Sequence, residues 1–210
     1  LVEDYHAYVD GRTRVEGIRC FLASRGIVLP EGDADDTGLD TVSGLSRHKN
    51  ALYLSRLKEE GVRVFDDALS LLRRLRKTDL KIGLATSSRN ASIILEKTGL
   101  RPCFDYVADG NTVIRHELRS KPAPDAFLHV ADRLSVPFGE CAIIEDSHEA
   151  AAGAVSRNPG QVIGVERHAH AGQSSRFRGC HVVSDLSFLT VGAAEGGSGN
   201  ERSDAGDSEQ

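Results

Sequence analysis

From about residue 65 onward the chain alternates helical segments with short apolar runs that have no polar face. Leu69, Leu72 and Leu75 recur at helical spacing and predict a helix over 66–77, and a buried strand follows over 80–85. A helix from about 89 to 98, a short strand over 104–107 and a helix over 123–134 continue the pattern. Strands over 141–144, 162–165 and 181–183 complete it, with a helix near 148–156. Apolar strands that alternate with helices need cover on both faces, which a parallel sheet between two helical layers provides. The predicted fold class is therefore α/β, a Rossmann-like three-layer arrangement. Chemistry in such sheets collects at the carboxyl ends of the strands, where Thr86 and the pair Glu145–Asp146 lie.

The front of the chain differs. Val15, Ile18, Phe21 and Leu22 share one helical face over 14–25, and Gly26 is placed to end that helix. An acidic, glycine-containing loop occupies 30–40, after which Ser46 is expected to cap a second helix through Leu52, Leu54 and Leu57. Two helices ahead of any strand predict a small helical subdomain over 1–60 and an α/β core over 61–191. Residues 192–210 contain no apolar side chain larger than alanine and are expected to form a disordered tail.

A length of 210 residues suits one domain with a small appendage. The net charge of −5 and the absence of a Lys/Arg stripe argue against a nucleic-acid surface. Cys20, Cys103, Cys141 and Cys180 have no CxxC spacing and read as reduced thiols. With no apolar run of about 18 residues and no signal-peptide pattern, a soluble cytoplasmic protein without a membrane partner is expected. The chain begins at Leu1 and contains no methionine, from which a truncation point or an unrecognised upstream start is expected.

Three places carry the residue types that phosphate chemistry needs. Thr86, Ser87 and Ser88 end the apolar run before a helix, where hydroxyls and backbone N–H groups form an anion cradle. Hydroxyl residues are equally what a helix N-terminus takes for capping, so the local sequence leaves both roles open. Lys121 precedes a turn stiffened by Pro122 and Pro124, where it is either a phosphate-orienting charge or a solvated loop lysine. Glu145 and Asp146 follow Ala142-Ile143-Ile144, and adjacent carboxylates at the end of a buried strand repel unless a hard cation lies between them. An exposed loop pair is the other reading. His168 and His170 have no further ligand nearby in sequence and read as loop histidines.

In order and spacing, with gaps of 35 residues (86 to 121) and 24 residues (121 to 145), the chain resembles the haloacid dehalogenase-like superfamily, in its β-phosphoglucomutase-like branch. The resemblance covers roughly residues 5–190 and is carried by Thr86-Ser87-Ser88-Arg89-Asn90, by Ser120-Lys121-Pro122-Ala123-Pro124-Asp125 and by Glu145-Asp146. It implies that Thr86 and Lys121 hold the transferring phosphate and that Glu145 and Asp146 help to hold Mg²⁺. It further implies that Ser87, Ser88, Arg89 and Asn90 grip a second phosphate, and that the helical subdomain is a cap whose Arg14 and Lys49 contact a phosphosugar. The implied function is Mg²⁺-dependent phosphoryl transfer on a small phosphorylated substrate, a sugar phosphate first, by a phosphomutase or else a phosphatase that works through an aspartyl-phosphate and is a monomer when complete.

The family's first motif, an apolar strand ending in Asp-x-Asp-Gly, has no counterpart here. The nearest sequence, Ala7-Tyr8-Val9-Asp10-Gly11, follows the polar Glu3-Asp4-Tyr5-His6 and has one aspartate. The sheet is thus expected to lack its usual central first strand. The alternative reading is an inactive remnant serving as a binding domain. Asp66-Asp67 and Ala150 also depart from the Pro-Gly and the glycine usual at these positions.

Overall fold

Two short parallel sheets, not one continuous sheet, carry the core. The structure is a computed structural model that describes residues 2–167 and 176–192. Helices α1 (Val2–Tyr8), α2 (Arg14–Ser24) and α3 (Val42–Glu59) precede α4 (Asp66–Leu75) and the first strand, β1 (Gly83–Ala85). Then come α5 (Ala91–Thr98), β2 (Tyr106–Ala108), α6 (Gly110–Arg115), α7 (Asp125–Arg133), β3 (Ala142–Glu145), α8 (His148–Val155), β4 (Gln161–Val165) and β5 (His181–Val183). Strands β1 and β2 pair in parallel, and β3, β4 and β5 form the second parallel sheet in that order.

Among the described residues no ladder joins β1 to β3. The exposure of Gly83 and Ala142, and of Ile144 at 39 %, follows from that break. The strand expected over 80–85 is correspondingly shorter and less covered: Leu80 is 55 % exposed, and only Ile82 is buried. The α/β fold class holds, whereas continuous cover of every strand does not.

Side chains on β4 show why the second sheet is layered. Val162 and Val165 differ in parity, so they point to opposite faces. Val162 joins Phe127, Ala150, Ala151, Ala154 and Phe177 in one core, which α7 and α8 cover. Val165 joins Leu71 of α4 and Leu186 in the other. The alanine run of α8 brings that helix close to β3 and β4, because small side chains keep little distance. Asp67 fastens the second layer: its carboxylate accepts from Arg167 Nη1 at 2.7 Å and from the Leu186 N–H at 2.8 Å. This gives the departure Asp66-Asp67 a structural role.

The helix expected to be capped by Ser46 begins five residues earlier. Thr41 is its N-cap, accepting from the Gly44 N–H at 3.0 Å, and Ser46 is buried inside the helix. Helix α2 opens on a reciprocal capping box between Thr13 and Glu16. The four cysteines are free and half-buried. Among the described residues no helix is long and apolar enough to cross a membrane. His168, His170 and the expected tail beyond Gly192 lie outside the described residues.

Gly153 sits in the middle of α8, where alanine is normally worth about 1 kcal/mol more than glycine. Here a Cβ would run into the backbone carbonyl of Pro122, beside Lys121. Overpacking of this kind costs about 1–3 kcal/mol, so the clash outweighs the helical gain. Gly153→Ala is expected to lower the urea midpoint. A midpoint at or above the parent's would show that the 121–124 loop yields without cost.

Candidate active site

Lys121 and Glu145 form the most enclosed ion pair of the crevice. Lys121 Nζ donates to Glu145 Oε2 at 2.6 Å, with side chains 9 % and 7 % exposed. The ammonium also lies 4.8 Å from the centre of the Phe127 ring, a cation–π contact with the next helix. Glu145 Oε1 accepts from the Ser147 N–H at 3.2 Å, so both carboxylate oxygens have partners. Burial pushes the Glu145 carboxyl above the usual range; Lys121 opposes that shift and the neighbouring Asp146 adds to it. Asp146 itself is exposed. Ser147, buried, caps α8 through the Ala150 N–H.

The other strand end is built from hydroxyls. Thr86 Oγ1 accepts from the Ser88 N–H at 3.2 Å, and Ser88 Oγ accepts from the Asn90 N–H at 3.2 Å. The capping-type bonds thus form at the end of β1 itself. Ser87 turns elsewhere: its hydroxyl donates to the Gly11 carbonyl at 2.8 Å. Gly11 has φ +71°, and a Cβ there would lie 2.6 Å from Ser147 Oγ, so only glycine suits this approach. The 10–12 loop thus wedges between the ends of β1 and β3 and brings Thr86–Ser88 and Glu145–Ser147 into one crevice. Next to it, Arg12 Nη2 pairs with Glu149 of α8 at 3.0 Å, tying the front helices to the core.

A second cluster faces the start of α5. Arg14 Nη2 donates to Asn50 Oδ1 at 2.6 Å, and the same oxygen accepts from Asn90 Nδ2 at 2.9 Å. Arg89 is held by Asn111, to whose Oδ1 its Nε donates at 3.0 Å. Burial, then the charge of Arg89, holds Arg14 below the ordinary arginine range. Partial desolvation, then Arg14, lowers Lys49 in the same way. Arg14, Lys49 and Arg89 thus form a crowded group of cations that an anion would relieve.

Two sets of expected residues therefore assemble. Lys121, Glu145 and Asp146 form one, and Arg14, Lys49, Arg89 and Asn90 the other. Asn50 was not expected from the sequence; its only signal was its place beside Lys49. The spacing Asp-x-Asp does occur, at Asp33-Ala34-Asp35. Those carboxylates lie on the exposed loop between α2 and α3, after no strand, with Asp36 alongside. Asp10 follows α1, not a strand, and its charge is felt by Tyr5 together with that of Asp146.

The Glu145 shift sets a pH dependence. A carboxyl whose folded value is raised favours the fold fully below its unfolded value and loses that contribution as pH rises through the folded value. In urea titrations from about pH 4 to about pH 8, the parent is expected to lose stability relative to Glu145→Gln, beginning near the ordinary value of 4.5. A constant difference between the two proteins over that range would rule out the buried carboxyl as its source.

Comparison with known proteins bears on the family and the fold. A family model for haloacid dehalogenase-like hydrolases matches residues 2–156. A β-phosphoglucomutase of Mycobacterium bovis is 37 % identical over 190 residues, covering 89 % of this chain and 72 % of its own. A crystal structure of β-phosphoglucomutase from Clostridium difficile superposes with a TM-score of 0.71 at 23 % identity, covering 90 % of this chain and 78 % of that one. CbbY from Rhodobacter sphaeroides, in complex with xylulose-(1,5)bisphosphate, gives a TM-score of 0.68 at 19 % identity over 89 % of this chain and 79 % of that one. At those identities the two structures speak for the fold alone.

Proposed function

The chain belongs to the haloacid dehalogenase-like hydrolases, in their β-phosphoglucomutase-like branch, and from that premise we propose that it serves Mg²⁺-dependent phosphoryl transfer on a small sugar phosphate. The observation that carries this reading is the pair of separate cationic groups at one cap–core crevice. Lys121 stands at the end of β3, while Arg14, Lys49 and Arg89 crowd the start of α5. A substrate with a transferring phosphate and a second anionic group suits both. The name of the Mycobacterium bovis relative, a β-phosphoglucomutase, points to the same class.

Residues 2–59 act in this reading as the cap and the remainder as the core. Lys121 orients the transferring phosphate and offsets its charge, with Thr86 and Ser88 supplying hydroxyls and backbone N–H groups. Ser88, Arg89, Asn90, Arg14 and Lys49 receive the second phosphate, and Ser87 anchors the cap loop instead. The donor set fits a hard divalent cation: Asp146 presents a carboxylate at the strand end, and Glu145 stands behind it already joined to Lys121. Bound there, Mg²⁺ would lower the charge repulsion between phosphate and carboxylates.

Covalent transfer needs a carboxylate nucleophile. It attacks phosphorus, the bond from phosphorus to the sugar oxygen breaks, and that oxygen takes a proton from a second acid. No strand ending in Asp-x-Asp-Gly occurs in residues 1–210. The proposal places this carboxylate on an apolar strand contributed from outside these residues and lodged between β1 and β3. The open edges of both strands and the exposed Ile144 support that placement.

Residues 1–210 alone are expected to show no Mg²⁺-dependent turnover of a hexose phosphate. Adding an N-terminal apolar strand that ends in Asp-x-Asp-Gly should produce it, and Lys121→Ala in that longer chain should lower kcat about 10²–10³-fold. Turnover by the 210 residues alone would overturn the need for a further strand. Hexose phosphate binding without turnover in the longer chain would instead favour a binding domain.

With Asp146 as the chief ligand and water completing the shell, calorimetry should give a Mg²⁺ Kd of about 1 mM or weaker, removed by Asp146→Asn. Micromolar stoichiometric binding would mean that further protein ligands complete the shell.

A further inference from the structure

Asn50 is the neutral member of a cluster otherwise made of cations. It lies on α3, half-buried, and its one carbonyl oxygen accepts from Arg14 of α2 and from Asn90 at the start of α5. A carbonyl oxygen has two lone pairs, so these two bonds use its capacity fully. Among the described residues Asn50 is the side chain that accepts from Arg14, and Glu16, the acidic residue of the same helical turn, is committed to Thr13. Asn90 is 8 % exposed and occupies the N-cap position of α5, yet makes no side-chain cap bond there. Its amide is turned to Asn50 instead.

We propose that Asn50 is a positioning residue: it holds Arg14 and Asn90 in a fixed relation across the cap–core boundary so that their other donors serve one shared anion, the phosphate that is not transferred. This rests on the phosphosugar reading above. An acceptor is needed here because Arg14 would otherwise point a partly buried guanidinium at two other cations. A neutral acceptor is needed because a carboxylate would form the ion pair that the substrate's phosphate is to form. Asparagine meets both needs. Aspartate, of nearly the same shape, meets only the first.

That difference gives the test. The parent chain, Asn50→Ala and Asn50→Asp are titrated calorimetrically with glucose 1,6-bisphosphate and with inorganic phosphate, and each is melted thermally. Asn50→Asp is expected to bind the bisphosphate about tenfold more weakly or worse, with a Tm equal to or above the parent's. Asn50→Ala is expected to weaken the bisphosphate severalfold, and in both variants the preference for bisphosphate over inorganic phosphate should fall. A merely structural role would change Tm and leave that preference unaltered, and this result in both variants overturns the proposal. Should the parent bind neither probe, the phosphosugar reading itself falls and the role of Asn50 with it.

Discussion

The ion pair between Lys121 and Glu145 joins two halves of a molecule between which, among the described residues, no strand ladder runs. Lys121 immediately precedes the segment leading into α7, which packs on β1 and β2; Glu145 ends β3. Phe127 of α7 strengthens the link, because it belongs to the same core as Val162 and the alanines of α8. A buried pair contributes little net stability, since desolvation opposes its Coulomb attraction, but losing one partner costs about 3–5 kcal/mol. The raised carboxyl of Glu145 is the visible trace of that balance: burial dominates, and Lys121 only partly offsets it. The bond between the halves is thus conditional on the charge of its members. It is also the bond that places an ammonium beside the end of β3.

The front helices are attached to the core by polar contacts of the same conditional kind. Ser87 holds Gly11, Arg12 meets Glu149, and Arg14 reaches Asn90 through Asn50. Each joins a residue between 11 and 50 to a core residue a few positions beyond a strand end. Against them stands the mutual repulsion of Arg14, Lys49 and Arg89, strengthened by their partial burial. The contact of the front helices with the core is therefore opposed by charge and supported by hydrogen bonds, and an anion would remove the opposition without touching the support. Salt screens such partly buried charges incompletely, so the balance belongs to the site and is not set by the medium.

Much of this was legible in the sequence because the signals were local. Apolar runs located β3, β4 and β5 within a residue or so, and Thr86, Glu145 and Asp146 fell where strand ends predict chemistry. The residues that escaped depend on distant partners. Ser87 resembles its neighbours until Gly11, 76 positions away, takes its hydroxyl. Asn50 has no pattern of its own, and its role exists only once α2, α3 and α5 converge. Asp67 looked like a departure from the family and became a clasp through Arg167 and Leu186. Thr41 and Ser46 are both sound N-caps, so composition did not choose between them, whereas the Gly44 N–H did. Helices α1 and α6 are seven and six residues long, too short for apolar periodicity to register.

The break between β1 and β3 links stability to activity. Parallel strands are normally covered on both faces and paired on both sides in a sheet's interior, yet here Ile144 is 39 % exposed at the last turn of chain before Glu145. An apolar strand inserted there would bury Ile144, satisfy two open edges and bring its own last residue level with Thr86 and Glu145. The three gains are one event, since parallel register fixes where such a strand ends relative to its neighbours. A carboxylate at that end would face Lys121 and Asp146 by geometry alone, with no further design of the site. Conversely, a strand of the right apolarity but lacking a terminal carboxylate would restore the sheet and leave the crevice an anion receptor. In that reading fold completion and covalent transfer separate at the carboxylates ending such a strand, and the cationic groups on the front helices would serve either outcome.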